Sequence, residues 1–316
     1  MPPRSDVGIV TVAALRERDD DQIECLFNER EQIFRLPLGK QGAALAERLE
    51  TARQQGRPVK ATVNPSRARL QALKDLDGRE QRAFQKTREL LEGPARPRAV
   101  NTKAIDPTRF NVVGVGQRWP GFDFCSRVVP NYKVAQDIFE FCAAQTCSLG
   151  GPFAINPCIP FQYVIDGCYA RAHKMRQVIE TRYGYCCEKV FSFANQGNDS
   201  LAVQATKWGG CCVTWWFHVA PLLRVRVRLQ LGPINLQLVL ALVIDPGMFD
   251  KPVLLSSWLG AQQQQACDPN AHVSMYSIQT GSAYMPANYA GTAFTTDPNY
   301  SQTDATLTDY AGLVTC

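Results

Sequence analysis

The chain has 316 residues, of which 45% are hydrophobic, so it is long and apolar enough for one large globular domain or two ordinary ones. No run of about 20 apolar residues is present, which excludes a membrane-spanning helix. The net charge of +5 lies entirely in residues 1–124. There, basic residues are interleaved with acidic ones and lack an aromatic platform, so we expect no nucleic-acid or membrane partner.

The sequence first predicts a small α+β unit at the N-terminus. Its elements are a strand at 7–15, an extended stretch within 23–37, a helix at 41–54, a short strand at 58–63 and a polar helix at 70–91. Residues 93–98 and the loop-like residues 99–124 are rich in Pro, Gly and Arg, which is typical of a linker open to proteolysis. We therefore divide the chain into residues 1–115 and residues 116–316.

The second unit is also predicted to be α+β. Its elements are a helix at 131–144, a helix from Cys168 to about Gly184, a strand at 188–194, a strand at 212–220 with an alternating continuation at 223–229, and a returning strand at 236–244.

Cysteines are concentrated in this second unit: of the 12 in the chain, only Cys25 precedes residue 125. With Cys168 set aside, ten remain there, enough for up to five disulfides and typical of a secreted protein, although no signal peptide is visible. Zinc is the competing interpretation, but no C-x2-C pair recurs at zinc-finger spacing, so we expect no metal or other cofactor. The adjacent pairs Cys186-Cys187 and Cys211-Cys212 should bond to other cysteines.

Cys168 is set aside because it stands at the start of a predicted helix. Asp166 is a candidate N-cap, and Gly167 permits a tight entry turn. Unpaired N–H groups and the positive end of the helix dipole favour a thiolate at that position. Cys168 is therefore a candidate nucleophile, which requires a base and a group that orients the base.

The predicted hairpin supplies both groups. A turn near residue 232 makes His218 and Asp245 cross-strand neighbours, about 5 Å apart at Cβ if directly opposed. Each residue alone has an ordinary structural explanation: a disulfide cysteine, a core histidine and a strand-ending aspartate. Together, Cys168, His218 and Asp245 form a candidate catalytic triad of nucleophile, general base and orienting carboxylate. His173 is a poor rival base because it lies about 140° around the helix from Cys168.

Five segments resemble the bacterial protein-glutaminases of the Chryseobacterium type, which are secreted protein deamidases. They are 166–177 (DGCYARAHKMRQ), 185–189 (YCCEK), 210–215 (GCCVTW), 218–220 (HVA) and 244–249 (IDPGMF). The N-terminal unit also resembles that family's pro-region, notably at 32–36 and 57–60. The resemblance implies a transglutaminase-like, papain-like cysteine catalytic core with an antiparallel sheet, and a triad at the same three positions.

The resemblance further implies hydrolysis of protein-bound glutamine through a thioester on Cys168, with no cofactor, by a secreted monomer. Residues 1–115 would then be an inhibitory pro-region, with a stretch within Cys25–Leu36 lying extended across the cleft and Glu31 or Gln32 near Cys168. Trp215 and Trp216 are candidate substrate-binding residues. The alternatives are a transglutaminase, a cysteine protease, a secreted deamidase toxin, and a disulfide-rich binding module without activity. An ordinary accessory domain is the alternative for residues 1–115.

Overall fold

A computed structural model describes residues 6–18, 22–64, 68–91, 127–231 and 234–316. The predicted linker at 93–98, the loop at 99–124 and the boundary between residues 115 and 116 lie outside these residues. No helix in the described part of the chain is both long and apolar enough to cross a bilayer.

The N-terminal part, residues 6–91, is an α+β unit, as predicted. Its elements are β1 (Asp6–Val10), β2 (Val12–Glu17), β3 (Ile23–Phe27), β4 (Phe34–Arg35), α1 (Lys40–Gln54), β5 (Val59–Asn64), β6 (Arg69–Asp75) and α2 (Gly78–Leu91). The strands form one sheet in the order β1-β5-β6-β4-β3-β2, in which only β4 and β6 run parallel. One face of α1 packs on this sheet and buries Leu45, Leu49 and Ala52.

Two predictions in this unit were wrong in part. The strand at 7–15 is divided at Thr11, whose N–H donates to the Glu29 carboxylate instead of continuing one strand. The helix at 70–91 begins only at Gly78, because residues 69–75 pair with β5. A register shift in that pairing lets Leu70 and Leu73, three residues apart, both be buried, which imitates helical spacing in the sequence.

The second part, residues 127–316, contains the remaining elements. They are α3 (Tyr132–Ala143), α4 (Cys168–Tyr183), β7 (Glu188–Phe193), β8 (Leu201–Gln204), β9 (Cys212–Trp215), β10 (Phe217–Leu231), β11 (Ile234–Val243), β12 (Val253–Leu254), α5 (Leu255–Ala261), β13 (Met275–Thr280), β14 (Ala283–Pro286), β15 (Phe294–Thr296) and α6 (Ser301–Tyr310).

A five-stranded antiparallel sheet organises this part, in the order β12-β11-β10-β7-β13. Two smaller antiparallel pairs, β8-β9 and β14-β15, flank it. The α4 helix packs against β10 and α6, so the start of α4 lies beside the central strand. The α+β class and the antiparallel sheet are therefore confirmed.

Disulfides link several segments of the second part. In the described residues they join Cys147 to Cys158, Cys211 to Cys316 and Cys212 to Cys267, and Cys186 is also disulfide-bonded. The prediction that adjacent cysteines bond elsewhere is confirmed for Cys211 and Cys212. It is wrong for Cys187, which is a free thiol buried in an apolar cluster that also contains the free thiol of Cys142. The ten remaining cysteines therefore do not reach the upper limit of five disulfides, because Cys142 and Cys187 are free.

Candidate active site

Cys168 is the first residue of α4, and its thiol is free and buried. Gly167 precedes it with φ 85°, a left-handed conformation that glycine adopts without strain, so the predicted entry turn is confirmed. The predicted N-cap is wrong, because no side chain caps α4. Asp166 instead accepts the N–H of Glu31 at 3.1 Å and the hydroxyl of Tyr310 at 2.6 Å. The Cys168 N–H is therefore free to donate a hydrogen bond to a group outside α4.

His218 and Asp245 meet as the hairpin register predicts. Strands β10 and β11 pair Leu222 with Val243, so Asp245, just beyond β11, lies opposite Ala220 and diagonally across from His218. The His218 Nε2 atom lies 2.9 Å from Asp245 Oδ2, and both side chains are buried. Trp258, from α5, donates its indole N–H to the same Oδ2 atom at 2.9 Å. Two N–H donors thus fix the orientation of one carboxylate oxygen.

The other ring nitrogen of His218 faces the nucleophile and Glu31. Its Nδ1 atom lies 3.7 Å from Glu31 Oε2, and that oxygen accepts the Cys168 N–H at 3.2 Å. One potential ligand atom from each of Glu31, Cys168 and His218 lies within 4.8 Å of the other two. The structure therefore brings together all three residues of the predicted triad and adds a glutamate from the N-terminal part.

Glu31 belongs to a segment that lies extended along the site. The Trp216 N–H donates to Glu31 O at 3.0 Å, and Gln32 forms an antiparallel bridge with Trp215. The prediction that Glu31 or Gln32 would lie near Cys168 is therefore confirmed for Glu31. The neighbouring Arg30 makes an ion pair with Asp166 at 3.1 Å, which anchors the segment at the start of α4.

Trp215 and Trp216 are both fully buried in this structure. The Trp215 ring stacks on His218, with centroids 4.6 Å apart and planes inclined by 9°, and its indole N–H donates to Val164 O. The Trp216 indole N–H donates to the carbonyls of Phe27 and Arg30, in the N-terminal part. Both tryptophans thus lie under the segment that contains Glu31, and their part in substrate binding stays a prediction.

The electrostatics hold the nucleophile in its thiol form. Burial and the Glu31 carboxylate raise the pKa of Cys168 well above its usual value, although Arg171 opposes them. The expectation of a thiolate at the helix start is therefore wrong for the uncut chain, because burial and the adjacent Glu31 carboxylate both disfavour a negative charge on the sulfur. Burial also raises the pKa of Glu31 itself, in spite of the nearby His218 and Arg171.

The base is biased towards its charged form. Burial alone would lower the pKa of His218, but the carboxylates of Asp245 and Glu31 outweigh it and the pKa is raised. For Asp245, burial opposes the charge, yet hydrogen bonds from His218 and Trp258 keep the pKa below its usual value. An ionised Asp245 can therefore hold and stabilise an imidazolium.

The two remaining histidines lie elsewhere. His173 is buried, with Nε2 3.0 Å from the carbonyl of Asp297 and Nδ1 2.6 Å from Lys189 Nζ, which leaves neither ring nitrogen for Cys168. His272 is exposed. His218 is the only histidine that the structure places beside the candidate nucleophile.

Sequence reasoning missed Trp258 and Arg171. Trp258 holds Asp245 from a short helix with no recognisable motif, and no pattern in the sequence points to it. Arg171 lies on α4 one turn after Cys168, and its Nη2 atom is 3.5 Å from Glu31 Oε1. Its position in the DGCYARAHKMR stretch, three residues after Cys168, could have indicated a place in the site, but an arginine on a helix is usually solvated.

Known proteins are similar to this chain in fold and, around the site, in sequence. A family model described as Glutaminase matches residues 135–262. Crystal structures of pro-protein-glutaminase and of a mutant of it each match 99% of this chain and 95% of their own, at 25% identity and a TM-score of 0.69. The NMR structure of protein-glutaminase from Chryseobacterium proteolyticum matches 60% of this chain and 92% of its own, at 32% identity and a TM-score of 0.50. Among curated proteins, none matches this sequence.

Proposed function

Because the chain belongs to the protein-glutaminase family, we propose that it is a zymogen whose second part converts protein-bound glutamine to glutamate and ammonia. One observation carries the proposal. A buried free thiol at a helix start lies beside a histidine whose far nitrogen is held by a buried carboxylate. This is the arrangement of a cysteine nucleophile with an oriented base.

In the first half of the reaction, Cys168 Sγ attacks the carboxamide carbon as its proton passes to His218 Nδ1. The C–N bond then breaks, the same proton leaves with ammonia, and a thioester remains. In the second half, His218 takes a proton from water, the resulting hydroxide attacks the thioester, and the C–S bond breaks to give glutamate and the thiol. Asp245 stabilises the imidazolium in both halves, and Trp258 holds Asp245 in place.

The negative oxygen of each tetrahedral intermediate needs hydrogen-bond donors. The Cys168 N–H is one donor, because in this chain it already binds a carboxylate oxygen at 3.2 Å. Arg171 lies 3.5 Å from the other oxygen of that carboxylate and is a second candidate. We propose that Trp215 and Trp216 line the groove for the substrate main chain, since Gln32 and Glu31 pair with their backbone there.

We assign residues 1–115 as an inhibitory pro-region and residues 116–316 as the catalytic domain. Glu31 supports the assignment, because its side chain is the product of the proposed reaction and occupies the position of the reacting group. The N-terminal part is also held at points far from the site. Arg18 makes two hydrogen bonds to the Asp268 carboxylate, at 3.0 and 3.1 Å, and Arg16 binds the carbonyl of Ala194 at 3.1 Å. An ordinary accessory domain would have no reason to place a carboxylate against the nucleophile.

The rival functions predict different products. A transglutaminase would pass the acyl group to lysine, and a cysteine protease would cut the main chain. A non-enzymatic binding module predicts an unreactive, oxidised Cys168, which its free thiol opposes. The disulfides of the described part support secretion, either as an extracellular enzyme or as a toxin. We expect a monomer that acts on proteins with exposed glutamine.

The test is ammonia release from a casein-like protein before and after nicking within residues 95–125. We expect nicking to raise the rate sharply, with Cys168→Ser inactive in both forms. Electrophoresis of the treated substrate separates the rivals, because a deamidase leaves neither cross-linked products nor fragments. Ammonia release that nicking does not change would refute the inhibitory role, and equal release by Cys168→Ser would refute the mechanism.

A further inference from the structure

The site contains two buried polar atoms that the described part of the protein leaves without a hydrogen bond. They are His218 Nδ1 and Glu31 Oε1, in residues that are 2% and 0% exposed. Both belong to the cluster of Glu31, Cys168 and His218, whose potential ligand atoms lie within 4.8 Å of one another. Their charged neighbours are Arg171 Nη2, 3.5 Å from Glu31 Oε1, and Glu31 Oε2, 3.7 Å from His218 Nδ1, and neither contact is a hydrogen bond. An unsatisfied buried polar atom carries a cost in free energy, so two in one cluster leave a place for a further partner.

The geometry and the donor types suit a small metal ion. Zn²⁺ binds cysteine sulfur at about 2.3 Å and imidazole nitrogen or carboxylate oxygen at about 2.0–2.2 Å, which puts tetrahedral ligand atoms about 3.3–3.6 Å apart. His218 Nδ1 and Glu31 Oε2 are already 3.7 Å apart. The remaining separations are at most 4.8 Å, so the side chains need to move by only about an ångström. Sulfur, nitrogen and oxygen together form a donor set typical of zinc.

The surroundings also match a zinc site. The His218 Nε2 atom, on the far side from the cluster, is held by Asp245 at 2.9 Å, and a carboxylate in that place orients and strengthens a zinc-binding histidine. The charges balance as well. Glu31, Asp245 and the Cys168 thiolate are negative, and Zn²⁺ together with the neighbouring Arg171 compensates all three.

We propose that Glu31, Cys168 and His218 form a zinc site in the uncut chain, with a water or the second Glu31 oxygen as the fourth ligand. Binding replaces the S–H bond of Cys168 by a Zn–S bond, and the proton leaves to solvent. The site exists only while the N-terminal part is docked, because Glu31 comes from one part of the chain and the other two ligands come from the other. The binding is independent of the proposed activity. Its consequence, a metal lock on the zymogen, rests on the proposed function.

Cobalt titration of the metal-free, uncut chain tests the site. We expect one Co²⁺ per chain, with a thiolate-to-cobalt charge-transfer band that Zn²⁺ abolishes by displacement. Binding should release the Cys168 proton, together with a second proton from each chain in which His218 Nδ1 is protonated. Cys168→Ser should lose the band. Glu31→Ala should weaken zinc binding, measured against a chromophoric chelator, by at least about tenfold, the lower end of the loss for even an outer partner of a metal site.

Two matched controls exclude other ligands. Cys142→Ala removes another buried free thiol, and His272→Gln removes an exposed histidine, so both should bind zinc as the wild type does. Circular dichroism of each metal-free variant checks its fold. A missing band in the wild type, a band that survives in Cys168→Ser, or unchanged affinity in Glu31→Ala would each overturn the zinc site.

The outcome is separable from the proposed enzyme activity. Ammonia release by the nicked, zinc-free chain is measured in parallel. Activity without cobalt binding would overturn the zinc site and leave the enzyme assignment intact. Cobalt binding without activity would support the site and count against the enzyme assignment.

Discussion

Replacement of Asp245 by asparagine should be far less damaging here than loss of the carboxylate in a Ser-His-Asp protease. The His218 ring and the Trp258 indole N–H both point at a single oxygen, Oδ2, each at 2.9 Å. An asparagine that turned its NH₂ group towards this position would oppose the Trp258 N–H. The amide oxygen must therefore occupy it, which keeps His218 in the tautomer that has its proton on Nε2.

The magnitude follows from the change in hydrogen-bond strength. A bond to a charged group contributes about 1.5–3 kcal/mol and a neutral one about 0.5–1.5 kcal/mol, so Asp245→Asn loses about 1–1.5 kcal/mol. Because about 1.4 kcal/mol is tenfold in rate, kcat should fall by about 5–15-fold. In the double variant Asp245→Asn with Trp258→Phe, nothing prevents the amide from rotating. The loss should then approach the roughly 10⁴-fold seen when a triad histidine takes the wrong tautomer.

The assay is kcat and KM for ammonia release by the nicked enzyme from a glutamine-containing peptide. Tyr183→Phe is the matched control, because it removes one hydrogen bond, to Asp137 O, at the far end of α4. It should leave kcat unchanged, and thermal unfolding checks that all variants fold. If Asp245→Asn alone lowers kcat a thousandfold or more, or if the effects of the two substitutions on the activation free energy are additive, then Trp258 does not fix the orientation of residue 245.

Two further predictions concern docking and stability. Burial opposes ionisation of Asp268, but its hydrogen bonds to Arg18 outweigh this and lower its pKa. The docking free energy from this pair is therefore fully present above about pH 4. It is lost as the pH falls through the pKa that Asp268 has when the N-terminal part is docked. After nicking, acid should therefore release the N-terminal part from the wild type, whereas in Asp268→Asn it should dock more weakly at neutral pH and show no such acid-induced release. Size-exclusion chromatography measures both, and the same pH dependence in the two proteins would disprove the role of the pair. Removal of the Cys211–Cys316 disulfide, which spans 105 residues, by serine at both positions should lower the free energy of unfolding by up to about 4.7 kcal/mol in denaturant titration. No change in the transition midpoint would mean that this link constrains little of the unfolded chain.

Much of the candidate site was predictable because it depends on local rules. Period-two alternation in the sequence predicted the β10–β11 hairpin, and its register places Asp245 diagonally across from His218, two residues from direct opposition. Glycine before Cys168, with helical spacing after it, predicted the start of α4. These features need only chain geometry over neighbouring residues.

Features that depend on tertiary packing were not predictable in the same way. Asp166 has the sequence context of an N-cap, yet long-range donors, Tyr310 and the N–H of Glu31, claim its oxygens. The β6 strand imitates a helix in the sequence because its register shift gives buried leucines a spacing of three. The protonation of Cys168 depends on Glu31, which is 137 residues away in the chain.

Glu31→Gln in the uncut chain is the most direct test of whether Cys168 attacks a glutamine amide, because it places an unreacted side-chain amide where the carboxylate now accepts the Cys168 N–H. We expect one equivalent of ammonia, with intact-mass and peptide analysis showing either a thioester between residues 31 and 168 or glutamate at position 31. Cys168→Ser in the same background should keep its glutamine. A Glu31→Gln chain that folds, stays unmodified and releases no ammonia would contradict the assignment of Cys168, His218 and Asp245 as a deamidating triad.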